Sequence, residues 1–474
     1  MKKIVTILLC ICMVASLLVG CGKNDTKKTE SDNGKTEKTD NTTKKDDDSD
    51  KKATEIYFFN FKPEIADKYE AIAKEYKEKT GVTVKVVTAA SGEYEKKLLG
   101  EMEKEDAPTI FQINGPVGYQ NWKDSCADLK DTNLYKWLKD KSLAVKGEDG
   151  GIYGVPYAVE GYGIIYNKAI MDKYFALKDK AVTIKSTEEI KNYTTLKQVV
   201  EDMTKHKKEL GIDGVFASTS MKGGEQWRWQ THLASIPIYY ECKDKDKTGN
   251  TVATGLGMDS IQFKYAENFK NVFDLYINNS DVEKGLLGGK SVTDSMAEFA
   301  LGKVAMVQNG NWGWSQVTSV KGYKVKEEDI KMLPIYTGVK GEETQGICVG
   351  TENYFCINSE VSEEKQKASI DFLEWLYSSD EGRQHVVKDL GFIAPFTTFG
   401  DADKPADPLA KEVIKYQNDK NLVCPQWTFS CFPSEEFKNV FGSALLKYVQ
   451  GQAKWDEVTK TVIDSWKSER AASN

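Results

Sequence analysis

The chain predicts an α/β fold of two lobes, each a mixed sheet flanked by helices, with the polypeptide crossing between them more than once. Strand–helix–strand–helix–strand alternation over residues 55–112 is the signature of a parallel sheet. A second alternation of helices and strand-like pieces begins near residue 194, with no internal repeat. The 422 residues from Ala53 onward suit two to three domains.

The elements follow in order. Glu55–Asn60 is an apolar run that fits a buried strand. Pro63 to Lys79 carries Ile65, Tyr69, Ile72, Ala73 and Tyr76 at helical spacing, and Gly81 stops it. Val82–Val87 is a second strand, Gly92–Glu103 a helix and Thr109–Gln112 a third strand. Ligands of open parallel sheets sit beyond the carboxyl ends of the strands, which places Asn60, Phe61, Gln112 and Asn114 at a rim. Gly154–Asn167 reads as one long, bent strand. Helices follow over Thr194–Glu209, Ser260–Asn278, Ser291–Leu301, Glu363–Tyr377 and Asp380–Lys388, and Glu435–Lys467 is nearly all helical. Strands fall at Val215–Ser218, Val304–Gln308, Lys331–Tyr336 and Thr351–Ile357.

The amino terminus carries an address. Met1-Lys2-Lys3 leads into an apolar run ending at Leu18-Val19-Gly20-Cys21, an export signal rather than a spanning helix. Leu-Val-Gly-Cys resembles the bacterial lipobox, which implies a signal peptide over 1–20, a lipidated Cys21 and an anchor on the outer face of a membrane. Residues 23–52 hold nine Lys and nine Asp or Glu with no large apolar side chain, so 21–52 reads as a disordered linker. As a flexible coil it reaches about 30 Å, which suits a Gram-positive-like envelope.

Composition excludes several functions. The net charge of −7, with no basic aromatic-interleaved stretch, argues against nucleic acid. There is no Gly-x-Ser-x-Gly, His-Glu-x-x-His or phosphate loop, and no clustered metal ligands; His206 sits in a charged face, while His232 and His385 are isolated. No cofactor is expected. Cys126, Cys242, Cys348, Cys356, Cys424 and Cys431 allow fifteen pairings; isolated buried thiols are favoured, and Cys424 with Cys431 is the first pair to examine for a bridge. Ten tryptophans are more than a core needs, which leaves several for an aromatic-lined cleft.

Four blocks in order resemble the extracellular solute-binding proteins of the sugar-binding, maltose-binding-protein-like group that serves ABC importers. They are Gly154-Val-Pro-Tyr-Ala-Val-Glu-Gly-Tyr-Gly-Ile-Ile-Tyr-Asn-Lys168; Glu298–Met306 followed by Asn309-Gly-Asn-Trp312-Gly-Trp314; Phe372-Leu-Glu-Trp-Leu with Ser379-Asp-Glu-Gly382; and Gly451–Glu457. Three departures, Ala107-Pro-Thr-Ile110, Asn311 before Trp312, and Asn60-Phe61-Lys62 where maltose binders carry a charged pair, forbid transfer of a particular sugar. The resemblance implies a periplasmic-binding-protein-like fold with lobe 1 at 53–159 and 334–377, lobe 2 at 160–333 and 378–474, and a hinge of several crossovers. It implies a monomer that captures an oligosaccharide by hinge closure and delivers it to ABC permease subunits, without catalysis. A surface adhesin or sensor on the same fold, and a tethered glycoside hydrolase using Glu160 and Glu225, are the alternatives.

Sugar rings have apolar C–H faces and hydroxyl edges, met by aromatic rings and by carboxylates or amides. By resemblance Glu160, Glu225, Trp227 and Trp312 fall on positions that touch sugar. Trp229 shares a strand face with Trp227 if Trp-Arg-Trp alternates. Trp427, Tyr94, Asn114, Tyr162, Gln345, Trp314 and the rim residue Asn60 complete the candidates.

Overall fold

In the computed structural model of the protein, residues 54–89 and 91–473 are described. The expected signal segment, lipidation site Cys21 and linker lie outside them. Among the described residues, no helix is long and apolar enough to cross a membrane.

Eleven strands are described: β1 (Glu55–Asn60), β2 (Thr83–Thr88), β3 (Ile110–Asn114), β4 (Val145–Lys146), β5 (Ile152–Pro156), β6 (Glu160–Asn167), β7 (Gly214–Phe216), β8 (Val304–Gly310), β9 (Ile330–Leu333), β10 (Cys348–Gly350) and β11 (Asn353–Ile357). The first sheet runs β2-β1-β3-β11-β5-β4. Its β1 is parallel to β2 and β3, while β11 is antiparallel to β3 and β5. In the second sheet, β10-β6-β8-β7, β9 also pairs with β6. Both are mixed sheets flanked by helices, the expected two-lobed architecture.

Burial explains β1. Ile56 and Phe58 enter one core and Tyr57 and Phe59 the other, so both faces are covered and the run is apolar throughout. The helix Ala66–Thr80 lays Tyr69, Ile72, Ala73 and Tyr76 against that sheet, with Tyr69 edge-on to Phe58 at 5.0 Å and Tyr76 edge-on to Phe372 at 5.0 Å. Gly81 ends it at φ +77°, a left-handed cap that favours glycine. In the second lobe, Phe269, Phe441, Trp455 and Trp466 share one buried core with β6 and β7.

Gly154–Asn167 is two strands rather than one. Pro156 ends β5, as a residue without an N–H must, and 157–159 carries the chain into β6 of the other sheet. The Val159 N–H donates to the Ile393 carbonyl at 2.8 Å, so this crossover is paired with a later one. The change points expected at 334 and 377 also differ from the structure. Gly350 pairs with Glu160 in the second sheet and Asn353 with Asn114 in the first, so this crossing is residues 351–352. Val386, Val387, Leu390, Phe392, Phe396 and Phe399 pack into the first lobe's core, so the chain remains with that lobe well beyond Tyr377. The helix expected from Ser260 starts at Ala266, because Phe263 holds φ +48° and interrupts the helical backbone.

All six cysteines in the described residues are free thiols. Cys431 and Cys424 do not bridge; the sulfur beside Cys431 belongs to Cys242, both crowding the point where a side chain on Gly255 would start.

Candidate functional site

The cleft between the sheets begins at the carboxyl end of β1. Asn60 donates to the Lys62 carbonyl (2.9 Å) and Thr88 Oγ1 (3.1 Å) and accepts from the Lys62 N–H (3.1 Å). This small ring of bonds turns Lys62 toward the second lobe, where its Nζ meets Glu160 Oε1 at 2.7 Å, with Glu64 at 3.6 Å. Both members of the pair are buried. Burial opposes the Lys62 charge, yet Glu160 and Glu64 outweigh it and hold the ammonium above its ordinary range. Burial also pushes the Glu160 carboxyl up, against the pull of Lys62.

Beside this pair lies an aromatic nest. The Trp312 ring is 5.4 Å from Lys62 Nζ, 6.2 Å from Trp227 and 5.5 Å from His232. His232 stacks on Tyr162 at 4.3 Å, and Trp427 lies 5.3 Å from Tyr162 and 5.2 Å from Phe429. Two glycines make room: a Cβ on Gly310 would overlap the Trp312 ring, and one on Gly350 would lie 2.6 Å from Trp427. The nest keeps unspent hydrogen-bonding capacity, since His232 Nδ1 and Trp427 Nε1 are buried without partners. Burial, with Arg228 behind it, drives the His232 pKa well below the usual value, so the imidazole is neutral.

The third wall joins both lobes. A small pocket is lined by Glu95, Asn114 and Asn121 from the first lobe and Ser430, Glu435 and Lys438 from the second. Lys438 is ion-paired with Glu435. Glu352, on the crossing at 351–352, is pushed up to about 7 by burial, with Lys438 pulling against it and Glu160 adding to it. Next to it both side-chain atoms of Asn353 are buried and unpartnered, as is Gln112 Nε2. Glu64, Glu95, Glu160, Glu352 and Glu435 thus surround two ammonium groups, and the cleft is acidic.

Of the sequence candidates, Glu160, Tyr162, Trp227, Trp312 and Trp427 converge, and Asn114 lines the pocket. Others are engaged elsewhere. Asn60 is spent on the Lys62 loop. Tyr94 is a buried strut whose hydroxyl donates to the Phe59 carbonyl (3.2 Å) and accepts from the Gln112 N–H (2.8 Å). Gln345 is held between the Tyr240 hydroxyl (2.8 Å) and the Ile335 carbonyl (3.0 Å). Glu225 accepts the Val292 N–H at 2.7 Å, at the start of the helix Val292–Ala300. Trp314 lies edge-on to Tyr323 at 6.4 Å. Trp229 is in the second lobe's core against Phe273 and Tyr276. The alternating-strand expectation for Trp227 and Trp229 fails because Arg228–Leu233 is a wide helical turn, which sends the two rings to different neighbours.

Sequence reasoning missed Lys62, His232, Glu352, Phe429 and Lys438. Lys62 had a signal, in the departure at Asn60-Phe61-Lys62; His232 passed for an isolated histidine. The fold also assembles a surface trio, Asp179, His206 and Glu209, with ligand atoms within 4.8 Å of one another, which sequence spacing did not suggest.

Two mixed α/β sheets joined by short crossing segments, with an aromatic and charged cleft between them, define a two-lobed binding protein. The family model for bacterial extracellular solute-binding proteins matches residues 71–412, and the chain belongs to that family. No curated protein sequence matches it. Among solved structures it is similar to a chitin oligosaccharide binding protein (16% identity, TM-score 0.66, covering 88% of this chain and 99% of that one). It is also similar to a sugar transporter protein from Bacillus licheniformis in complex with stachyose (17%, TM-score 0.63, 88% and 100%). A third is apo RafE from Streptococcus pneumoniae (18%, TM-score 0.60, 88% and 98%).

Proposed function

We propose that the chain captures an oligosaccharide between its lobes and delivers it to the permease of an ABC importer. The observation that carries this reading is the nest of Trp227, Trp312 and Trp427 beside the buried Lys62–Glu160 pair. Indole faces cover the C–H faces of a sugar ring, while His232, Asn353 and the carboxylates offer partners to its hydroxyls. Support comes from the ligands named for the similar proteins, chitin oligosaccharide and stachyose among them. Ligand contacts to both lobes favour the closed arrangement over an open one. A lipid on Cys21 holds the monomer at the outer face of the membrane, within about 30 Å of play, to meet the permease. No chemistry is performed on the sugar: Glu160 is paired with Lys62 and Glu225 caps a helix, so neither is set as an acid or nucleophile.

A thermal-shift screen of neutral, amino and uronic acid oligosaccharides tests this. Bound ligand raises the melting temperature with the logarithm of its concentration. Neutral or amino oligosaccharides should stabilise the protein, and uronates, repelled by the acidic cleft, should not. Stabilisation by amino acids or peptides with none by any sugar would overturn the proposal.

A further inference from the structure

A second cavity lies inside the second lobe, behind the nest. It is a small void lined by Ser218, Arg228, Trp229, Tyr276 and Gln308, with Phe216, Ala217 and Val307 giving it an apolar side. Each of the five contributes a buried polar atom without a partner: Ser218 Oγ, Arg228 Nε and Nη2, Trp229 Nε1, Tyr276 OH and Gln308 Oε1. Such a concentration of unmet polar groups is costly unless something occupies the space. The chemistry of the set is one-sided. The guanidinium and indole nitrogens can only donate, the two hydroxyls can donate, and Gln308 Oε1 alone can only accept.

The charge is one-sided as well. Arg228 is 1% exposed and makes one side-chain hydrogen bond, from Nη1 to the neutral Ser295 Oγ at 2.6 Å. No carboxylate forms an ion pair with it among the described residues. The two nearest are occupied: Glu298 accepts from the Ser218 N–H (2.7 Å) and Lys290 (3.1 Å), and Glu225 from the Val292 N–H (2.7 Å) with Lys222 at 3.5 Å. Burial pulls the Arg228 pKa down to about 9 against both carboxylates, the mark of a cation that lacks compensation.

We propose that this cavity is a binding site for a small monovalent anion, a halide such as chloride, held by Arg228 Nε and Nη2, Trp229 Nε1 and the Ser218 and Tyr276 hydroxyls. The anion completes the coordination of Arg228, whose guanidinium lies 5.2 Å from the Trp227 ring, and so fixes the floor on which the nest's Trp227 rests. The site does not depend on what the cleft binds.

Bromide replaces chloride and scatters X-rays anomalously. In crystals of the protein grown with bromide, an anomalous peak is expected within hydrogen-bonding reach of Arg228 and Trp229. In solution, the melting temperature should rise by about 1–3 °C for each tenfold increase in bromide above its dissociation constant, at constant ionic strength maintained with gluconate. Arg228→Met should abolish that rise. Trp229→Phe, which keeps the ring and removes one donor, should reduce it and serves if Arg228→Met does not fold. Water density with no anomalous signal, or equal melting temperatures in bromide and gluconate, would overturn the proposal.

Discussion

Replacing Trp312 with alanine is expected to weaken oligosaccharide binding by about 2–4 kcal/mol, as an aromatic hot spot does, or roughly 30- to 700-fold in Kd. Trp312, like Trp227, keeps a face of its ring free for a ligand. It is only partly buried, yet touches Trp227, His232 and Lys62 around the cleft. Fold stability should change little by comparison, because its exposed face has no protein packed on it. Calorimetric titration of Trp312→Ala, with Trp312→Phe as the conservative control, checks this. Unchanged affinity would remove Trp312 from the site.

Lys62→Met should cost about 3–5 kcal/mol of stability, because it leaves the Glu160 carboxylate buried without its partner. The pair lies 2.7 Å apart and links the end of β1 to the start of β6. A buried ion pair contributes little net stability, since desolvation offsets much of the Coulomb attraction, but half of one is strongly unfavourable. The double variant Lys62→Met with Glu160→Gln should therefore recover most of the loss. Denaturant unfolding of the single and double variants reads the difference. If Lys62→Met unfolds at the wild-type midpoint, the pair is not the buried contact described.

Strand β1 was readable because Glu55–Asn60 is apolar on both faces, and both faces are buried. The helix Ala66–Thr80 was readable because Tyr69, Ile72, Ala73 and Tyr76 keep helical spacing up to Gly81. The helix Ala234–Lys245 went unread: its residues 234–242 are all buried, so no polar face marks a period, and Pro237 lies inside it. Strand β10 is three residues long, too short for alternation to register, and missing it shifted the expected crossing from 351–352 to 334. In the site, Glu160 and Trp312 stood in motifs that carry a resemblance. Lys62 and Glu160 are 98 residues apart, and only the fold makes them partners. The nest has the same origin, since Tyr162, Trp227, Trp312 and Trp427 come from four separate segments. Asn60, Tyr94 and Gln345 have the chemistry of sugar contacts, but the fold spends it on backbone carbonyls and on the hydroxyls of Thr88 and Tyr240.

The central claim, capture of a carbohydrate by closure of two lobes, is tested most directly by small-angle X-ray scattering with and without a saturating oligosaccharide. The radius of gyration should fall when the sugar binds, and the change should disappear in Trp312→Ala at the same sugar concentration. An oligosaccharide that binds by calorimetry while the scattering curve stays unchanged would contradict closure.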